Sequence, residues 1–149
     1  MARHAIISGG SSGIGLASAR QLLRRGNTVS LIARDEKKLA AAAESLRAEA
    51  ASGAEVNVFA ADVSRNEHCR RAVEQAIARS GPPEWVVASA GIVRPGKFLE
   101  QTADDHRMTM DTTYFGTVHL AYAAVPPMVA AGGGRLVLLS SGAAFVGLY

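Results

Sequence analysis

Ser8-Gly9-Gly10-Ser11-Ser12-Gly13-Ile14-Gly15 lies between the apolar run 5–7 and a helical pattern over 16–23. A strand that ends in glycine and continues as a helix leaves backbone N–H groups and the positive end of the helix dipole facing outward. Those groups can hold a phosphate anion. Because the strand before and the helix after are both present, the stretch is predicted to be a dinucleotide-binding turn.

Each glycine of the turn has its own predicted role. Gly9 permits the tight turn, Gly13 lets a pyrophosphate approach the backbone, and Gly15 lets the helix lie close to the strand it follows. A bare glycine pattern would also fit an ordinary turn. The flanking strand and helix favour the phosphate-binding interpretation.

Strand-like and helix-like segments alternate along the chain. Predicted strands cover 4–8, 28–33, 55–60, 85–89 and 135–140. Predicted helices cover 13–25, 35–51, 64 to about 80, and 103–130. The order βαβαβ predicts a three-layer α/β/α fold with one parallel sheet, helices on both faces, and ligands at the carboxyl ends of the strands.

Local signals predict where two of these helices begin and where one is interrupted. The segment 64–67, Ser-Arg-Asn-Glu, has the form of a capping box. Thr102 and the residues up to Asp105 can cap the last helix. That helix is predicted to be bent or ended at Pro126-Pro127, because proline cannot supply the backbone N–H that a helix needs.

Length and composition indicate a single α/β domain. Of the 149 residues, 48% are hydrophobic and 19% are charged, so the chain can bury a core and is not expected to be disordered. No apolar stretch is long enough for a transmembrane segment, and no signal peptide precedes the first strand. Cys69 is the only cysteine, which excludes an internal disulfide or a cysteine metal cluster and favours a half-buried structural thiol. These features predict a cytoplasmic protein.

The charge pattern argues against nucleic acid as a partner. The net charge is +3, the arginines are spread over several segments, and aromatic residues make up only 5% of the chain. A nucleic-acid binder gathers its basic residues into a stripe with interleaved aromatics. We therefore expect a small-molecule ligand.

Four motifs together resemble the short-chain dehydrogenase/reductase family, and the resemblance covers nearly the whole chain. The turn 8–15 resembles the family's Thr-Gly-x-x-x-Gly-x-Gly, Asp62-Val63 resembles its adenine-binding pair, Ala90-Gly91 resembles the end of its Asn-Asn-Ala-Gly motif, and Ser141 falls at its catalytic serine. Within the family, 9–13, 33–39 and 96–98 are most similar to the 3-ketodihydrosphingosine reductases. The resemblance implies a Rossmann-type doubly wound sheet and the cofactor-binding residues Gly9, Ser11, Ser12, Gly13, Ile14, Gly15, Arg34, Asp62, Val63, Ala90 and Gly91.

The end of the second predicted strand indicates which cofactor is bound. An NAD enzyme usually places a carboxylate there for the ribose 2′-OH, whereas an NADP enzyme needs a cation for the 2′-phosphate. Arg34 follows the strand tip, and its guanidinium can bind phosphate in a bidentate manner, which favours NADP. The hydroxyl groups of Ser11 and Ser12 could donate hydrogen bonds to the same phosphate. Two alternatives stay open: Asp35 as a ribose ligand rather than a helix cap, and Arg34 as a solvated surface side chain.

Asp62 and Ser141 also have two interpretations each. Asp62 accepts from the adenine amino group if the resemblance holds, or merely ends a strand before the Ser64 cap. Ser141 could donate a hydrogen bond to a substrate carbonyl and stabilise the charge that develops on that oxygen, or could simply start a loop. The resemblance favours Ser141 over Ser140 as the catalytic serine.

The chain departs from the family pattern at the proton donor and its surroundings. The family's donor is a tyrosine with a lysine four residues later, but Val118 follows Tyr114 at that spacing and Pro126 follows Tyr122, and Tyr149 is terminal. An isolated phenol, with its usual pKa of about 10, is a poor acid at neutral pH. Thr113 replaces the family's catalytic asparagine, and Ala88-Ser89 replaces the two asparagines before Ala90.

Two functions therefore compete at this stage. In the first, residues 1–149 are the NADP-binding N-terminal portion of a longer short-chain reductase. That enzyme transfers a hydride between NADPH and a carbonyl or alcohol substrate, a 3-keto long-chain base among the candidates, and works as a homodimer or homotetramer. In the second, the chain is a non-catalytic nucleotide-binding or interaction module. An open sheet that ends on its fifth strand would expose an apolar edge, which favours the first.

Overall fold

The computed structural model describes residues 3–146, and in this range five strands form one parallel sheet. The strands are β1 His4–Ser8, β2 Thr28–Ala33, β3 Val56–Ala60, β4 Trp85–Ala88 and β5 Arg135–Leu138. Their order across the sheet is β3-β2-β1-β4-β5, and every neighbouring pair is parallel. The predicted doubly wound sheet is confirmed. Tyr149 lies outside the described residues.

Helices cover both faces of this sheet. They are α1 Gly13–Arg24, α2 Glu36–Arg47, α3 Asn66–Ser80, α4 Ala103–Met110 and α5 Gly116–Ala130, with a π-helical turn at Asp111–Phe115 between the last two. Ile6, Val86 and Ile32 pack against α3 and α5 on one face, while Ile7 and Leu31 pack against α1 and α2 on the other. All five residues of β1 are buried, which is why the middle of the strand is the continuous apolar run 5–7 rather than an alternation of apolar and polar residues. The polar residues His4 and Ser8 stand at its two ends and are buried as well.

The order in which strands are added to the sheet changes side at β1, so that β1 and β4 are neighbours. The first three strands are added outward from β1 on one side, and the chain then crosses back to place β4 on the other side of β1. The loops that leave the carboxyl ends of β1 and β4 therefore diverge and leave a crevice between them. Ligands of open α/β sheets bind in this position.

The predicted capping box at Ser64 is wrong. The Ser64 hydroxyl donates to Oδ1 of Asp62 at 2.7 Å, and the Ser64 backbone N–H donates to the same oxygen at 3.0 Å. α3 begins after Arg65, which provides no side-chain cap. Asp62 competes successfully for the hydroxyl because an aspartate two residues upstream readily closes a local turn.

The end of α2 differs from the prediction, and the end of α5 decides between two predicted outcomes. α2 ends at Arg47 rather than at residue 51, because backbone N–H groups from Glu49 onward bond three residues back, Glu49 to Leu46 at 3.0 Å, and tighten the chain into a turn. Of the two outcomes predicted at Pro126-Pro127, a bend or an end, the end is excluded, because α5 continues to Ala130 as the predicted range 103–130 required. Because proline has no backbone N–H, two carbonyl groups one turn before the prolines lack their usual helical donors. Both prolines lie in the last third of α5. The predicted Thr102 cap is confirmed, with a reciprocal Thr102–Asp105 capping box.

α4, the π-helical turn and α5 follow one another without a break over 103–130, and this helical segment carries exposed apolar side chains. The most exposed are Met110, Tyr114, Phe115, Tyr122 and Val129. This surface is compatible with self-association through the helix, which stays a prediction. No helix among residues 3–146 combines the length and apolar character that a bilayer crossing requires.

Cys69 is fully buried in α3 rather than half-buried, and burial raises the pKa of its thiol to about 11. A thiol with this pKa is protonated at neutral pH and is a poor nucleophile. The interpretation of Cys69 as a structural residue is therefore supported by its environment.

His4 is a second buried titratable group. Its Nδ1–H donates to the Gly81 carbonyl at 2.7 Å, and Nε2 accepts from the Ser30 hydroxyl at 2.8 Å, so the ring is satisfied in its neutral form. Burial lowers the pKa of His4 below its usual 6.5, and the hydrogen bond to Gly81 opposes part of that shift.

The free energy of unfolding is expected to fall as the pH drops below 6.5. The unfolded chain binds a proton at His4 more readily than the folded chain does, so stability is complete above 6.5 and is lost below it. The loss can reach no more than about 1.4 kcal/mol per pH unit for one group. Urea titrations at several pH values measure it, and His4→Gln should flatten the slope. An unchanged slope in that variant would contradict the assignment.

Candidate functional site

A cleft of about 340 Å³ opens at the carboxyl ends of β1, β2 and β4. The segments that follow all five strands contribute to its wall, together with one residue of the π-helical turn. The lining residues are Gly9, Ser11, Ser12, Gly13, Ile14, Ile32, Ala33, Arg34, Asp35, Lys38, Ala61, Val63, Ser89, Ala90, Gly91, Ile92, Thr112 and Leu139. The cleft lies in the crevice that the strand order creates.

Gly9 has a conformation and a location that no other residue would accept. Its φ is +67°, which favours glycine. A Cβ at this position would also stand 2.8 Å from the backbone nitrogen of Ala90 and from the carbonyl oxygen of Ser89. The turn after β1 and the loop after β4 are therefore in direct backbone contact, which holds two walls of the cleft together.

Gly13 and Gly15 serve different purposes. Gly13 has a φ of +53° and no heavy atom within 4 Å of the position a Cβ would take, so its backbone faces open space in the cleft. A Cβ on Gly15 would collide with the carbonyl oxygen of Gly9. Gly15 thus lets α1 pack closely against Gly9 in the turn. The sequence predicted this close contact with the strand, and Gly9 is the first residue after β1.

The start of α1 leaves its first turn available to a ligand. Ser12 precedes the helix with extended backbone angles, and its side chain makes no capping hydrogen bond in the described structure. Ser11, Ser12 and Ile14 all line the cleft, and the Ile14 side chain is 64% exposed. An uncapped helix start next to open space fits a phosphate group, because its N–H groups and the helix dipole favour an anion there.

Ser8 is a structural contributor that sequence reasoning missed. Its buried hydroxyl oxygen accepts hydrogen bonds from the backbone N–H groups of Ser89 at 3.2 Å and Ala90 at 3.3 Å. The side chain thereby ties the end of β1 to the end of β4. The only signal in the sequence was a polar residue at the end of an apolar strand.

The segment after β2 brings charged side chains to the cleft. Arg34 is exposed, lines the cleft, and makes no ion pair or side-chain hydrogen bond with any residue in 3–146. Asp35 caps α2, since its Oδ1 accepts from the backbone N–H of Lys38 at 3.0 Å. The capping interpretation of Asp35 is confirmed. Lys38 also lines the cleft, and sequence reasoning did not identify it.

The loop after β3 places Val63, but not Asp62, on the cleft wall. One carboxylate oxygen of Asp62 is already occupied by both Ser64 hydrogen bonds. Helix α5 contacts Val63 in two ways. Nδ1 of His119 donates to the Val63 carbonyl at 2.8 Å, and Gly116 packs so closely that a Cβ on it would lie 2.7 Å from a Val63 methyl group. The adenine role of Asp62 stays a prediction, and the local geometry favours its turn-closing role.

Thr113 holds the loop after β4. Its hydroxyl accepts from the Ile92 backbone N–H at 3.3 Å and lies 3.4 Å from the Ile92 carbonyl oxygen. Thr113 sits in the π-helical turn, which sequence reasoning missed, and the neighbouring Thr112 lines the cleft. π-helical turns frequently occur at functional sites. Here the turn places Thr112 on the cleft wall, while Thr113 binds the loop after β4.

Ser141 lies beyond the cleft lining at the end of β5. It is exposed, and its hydroxyl oxygen accepts from the Ala143 backbone N–H at 3.1 Å, which starts the short turn Gly142–Ala144. Leu139, two residues earlier, does line the cleft and bonds to the Ala88 carbonyl at 3.2 Å. The hydroxyl hydrogen of Ser141 has no acceptor among residues 3–146.

The structure thus brings most of the predicted residues together. The members found on the cleft wall are Gly9, Ser11, Ser12, Gly13, Ile14, Arg34, Val63, Ala90 and Gly91. Gly15 lies directly behind the turn, whereas Asp62 and Ser141 stand outside the lining. The arrangement combines an open glycine backbone with two cations, Arg34 after β2 and Lys38 in the first turn of α2.

Comparison with sequence families gives one match across this chain. The family described as short chain dehydrogenase matches residues 3–149. A 3-dehydrosphinganine reductase of Arabidopsis thaliana is 38% identical over 128 residues, covering 86% of this chain and 37% of the relative. An 11-beta-hydroxysteroid dehydrogenase of Sesamum indicum is 37% identical over 143 residues, covering 95% of this chain and 40% of the relative. The chain spans about two fifths of the length of these curated relatives.

Solved structures share the same architecture. L-sorbose reductase from Gluconobacter frateurii, complexed with NADPH and L-sorbose, superposes with a TM-score of 0.89 at 31% identity. The superposition covers 96% of this chain and 54% of that structure. The cleft described above therefore occurs in a fold that holds a nicotinamide cofactor in a solved relative.

Proposed function

The chain belongs to the short-chain dehydrogenase family, and on that premise we propose that it binds NADPH and contributes to the reduction of a carbonyl group. The observation that carries the cofactor assignment is at the end of β2. There Arg34 is exposed on the cleft wall with no partner among residues 3–146, while the carboxylate of Asp35 is engaged in capping α2. A free guanidinium beside an occupied carboxylate favours a 2′-phosphate over a free 2′-OH.

The glycine turn supports the rest of the cofactor assignment. The open backbone at Gly13 has room for a pyrophosphate, and the hydroxyl groups of Ser11 and Ser12 stand on the same wall. Ala90 and Gly91 provide a flat, small-residue surface after β4. When bound, NADPH would supply a hydride. These residues would hold and orient it and would limit the water around it.

Ser141 is proposed as the group that binds the substrate carbonyl. Its hydroxyl can donate to the carbonyl oxygen, because its own oxygen accepts from Ala143 while its hydrogen is free within the described chain. Such a donor stabilises the negative charge that grows on the oxygen as the carbon accepts a hydride. The oxygen must then take a proton. Neither Tyr114 nor Tyr122 has a lysine four residues later, so we assign no proton donor within residues 1–149.

The substrate class is proposed from the relatives. Several curated relatives, from plant, fish and mammal, are named 3-dehydrosphinganine or 3-ketodihydrosphingosine reductases. A 3-keto long-chain base is therefore the first substrate to test. The sesame hydroxysteroid dehydrogenase, which matches at similar identity, makes a sterol ketone the comparison substrate.

Arg34→Ala tests the cofactor assignment directly. Loss of a charge-assisted hydrogen bond to the 2′-phosphate should weaken NADPH binding by about 1.5 to 3 kcal/mol and leave NADH binding nearly unchanged. Titration of the fluorescence of each reduced cofactor measures both affinities. Arg25→Ala is a suitable control because Arg25 lies outside the cleft lining. Equal losses for the two cofactors would refute the role of Arg34.

A further inference from the structure

Charged side chains are scarce on the cleft wall. Among the lining residues of the described chain, three carry a charge: Arg34, Asp35 and Lys38. All three come from the segment between the end of β2 and the first turn of α2. The electrostatic character of this end of the cleft is therefore set by a few neighbouring residues.

The Lys38 ammonium is not committed to a strong partner in the described structure. It lies 3.9 Å from Oδ2 of Asp35, and the two side chains are 71% and 49% exposed. An exposed ion pair at that distance contributes little to stability, because water screens it and both side chains keep their freedom. The ammonium can therefore turn toward a ligand in the cleft without a large loss elsewhere.

The net charge of this end of the cleft depends on Lys38. Arg34 and Lys38 contribute two positive charges and Asp35 contributes one negative charge, so the three together carry +1. Without Lys38 the sum is zero, because the capping hydrogen bond engages Asp35 but does not remove its charge. A doubly charged 2′-phosphate is sensitive to this difference, whereas a ribose hydroxyl is not.

We propose that Lys38 is a second determinant of selectivity for NADP, offsetting the Asp35 carboxylate and adding a positive charge for the ribose 2′-phosphate. The inference rests on the proposed use of NADP and assigns a role that neither the glycine turn nor Arg34 provides. Arg34 alone stands beside a carboxylate of opposite charge. With Lys38 the cleft favours the additional phosphate.

Two small probes isolate the 2′-phosphate. Adenosine 2′,5′-bisphosphate carries that group and adenosine 5′-monophosphate lacks it, so calorimetric titration of both reports on the ribose end alone. For Lys38→Gln we expect about a fivefold weaker affinity for the bisphosphate at low salt, and less than a twofold change for the monophosphate. Raising the salt concentration should shrink the difference between variant and wild type.

Two further variants complete the test: one is a matched control and the other changes the charge in the opposite direction. Lys37→Gln removes a charge from the same exposed helical turn, but Lys37 does not line the cleft, so bisphosphate affinity should stay within about twofold of wild type. Asp35→Asn keeps an α2 cap, since asparagine caps helices as well as aspartate does, and removes the negative charge. It should raise bisphosphate affinity by about threefold.

The outcomes separate this inference from the proposed function. If Arg34→Ala loses bisphosphate affinity while Lys38→Gln matches wild type, the role of Lys38 is overturned and the use of NADP stands. A Lys38→Gln variant that weakens both probes equally also overturns it, since the effect would not concern the 2′-phosphate. If the wild-type protein binds both probes equally well, the proposed cofactor is wrong and the inference about Lys38 fails with it.

Discussion

Gly15→Ala is expected to lower the free energy of unfolding by about 2 to 4 kcal/mol and to remove cofactor binding. A methyl group at this position would collide with the carbonyl oxygen of Gly9. That oxygen cannot retreat easily, because the Gly9 N–H is bonded to the Ile32 carbonyl at 2.9 Å and the residue is in backbone contact with the β4 loop. Either α1 or the whole turn must shift.

Taken alone, helix α1 would be stabilised by the Gly15→Ala substitution. Alanine is favoured over glycine in a helix by about 1 kcal/mol, so intrinsic propensity predicts a more stable protein. The close approach of α1 to the turn reverses that sign. Urea denaturation followed by circular dichroism measures the result, and a Gly15→Ala variant as stable as wild type would show that the turn is not packed in this way.

Gly13→Ala and Gly53→Ala provide a matched pair. Both glycines have positive φ, +53° and +80°, and neither has a heavy atom within 4 Å of its Cβ position. Each variant should therefore lose about 1 to 2 kcal/mol of stability from backbone strain alone. Of the two, only Gly13 lines the cleft, so only Gly13→Ala should also bind NADPH more weakly. We expect a loss of about tenfold or more, the size expected when a hydrogen bond to a phosphate is lost.

In the longer reductase that the proposed function implies, Ser141→Ala is expected to lower kcat for ketone reduction by about 10²- to 10³-fold, which corresponds to about 2.7 to 4 kcal/mol of lost transition-state stabilisation. The affinity for NADPH should not change, because Ser141 lies outside the cleft lining. The hydrogen bond that its oxygen accepts from Ala143 is exposed, so the variant should fold normally. NADPH oxidation with a 3-keto long-chain base and with a sterol ketone provides the rate.

Ser140→Ala is the control for that measurement. The two serines are adjacent and exposed, but only Ser141 is assigned to the substrate carbonyl. We expect Ser140→Ala to keep a rate within about twofold of wild type. Equal losses in both variants would mean that the loop, rather than the Ser141 hydroxyl, matters for the reaction. A Ser141→Ala variant with full activity would remove Ser141 from the mechanism.

Several features of the cleft and of the helix starts could be predicted from local sequence. The conformations of Gly9 and Gly13, the Asp35 cap and the Thr102 capping box depend on residues within a few positions of each other. Arg34 could be placed at the strand tip because it directly follows an apolar strand. The capping box at Ser64 failed for a local reason too: Asp62 is an equally close partner for the Ser64 hydroxyl, and the sequence pattern does not rank the two competitors.

The sequence by itself determined the alternation of strands and helices and the glycine turn, because periodicity and backbone conformation are properties of short segments. The tertiary structure alone decided which side chains share the cleft. Ser8 meets Ser89 across 81 positions, His119 meets Val63 across 56, and Thr113 meets Ile92 across 21. The strand order β3-β2-β1-β4-β5 and the packing of α5 bring these partners together, and both follow from long-range burial rather than from any local pattern.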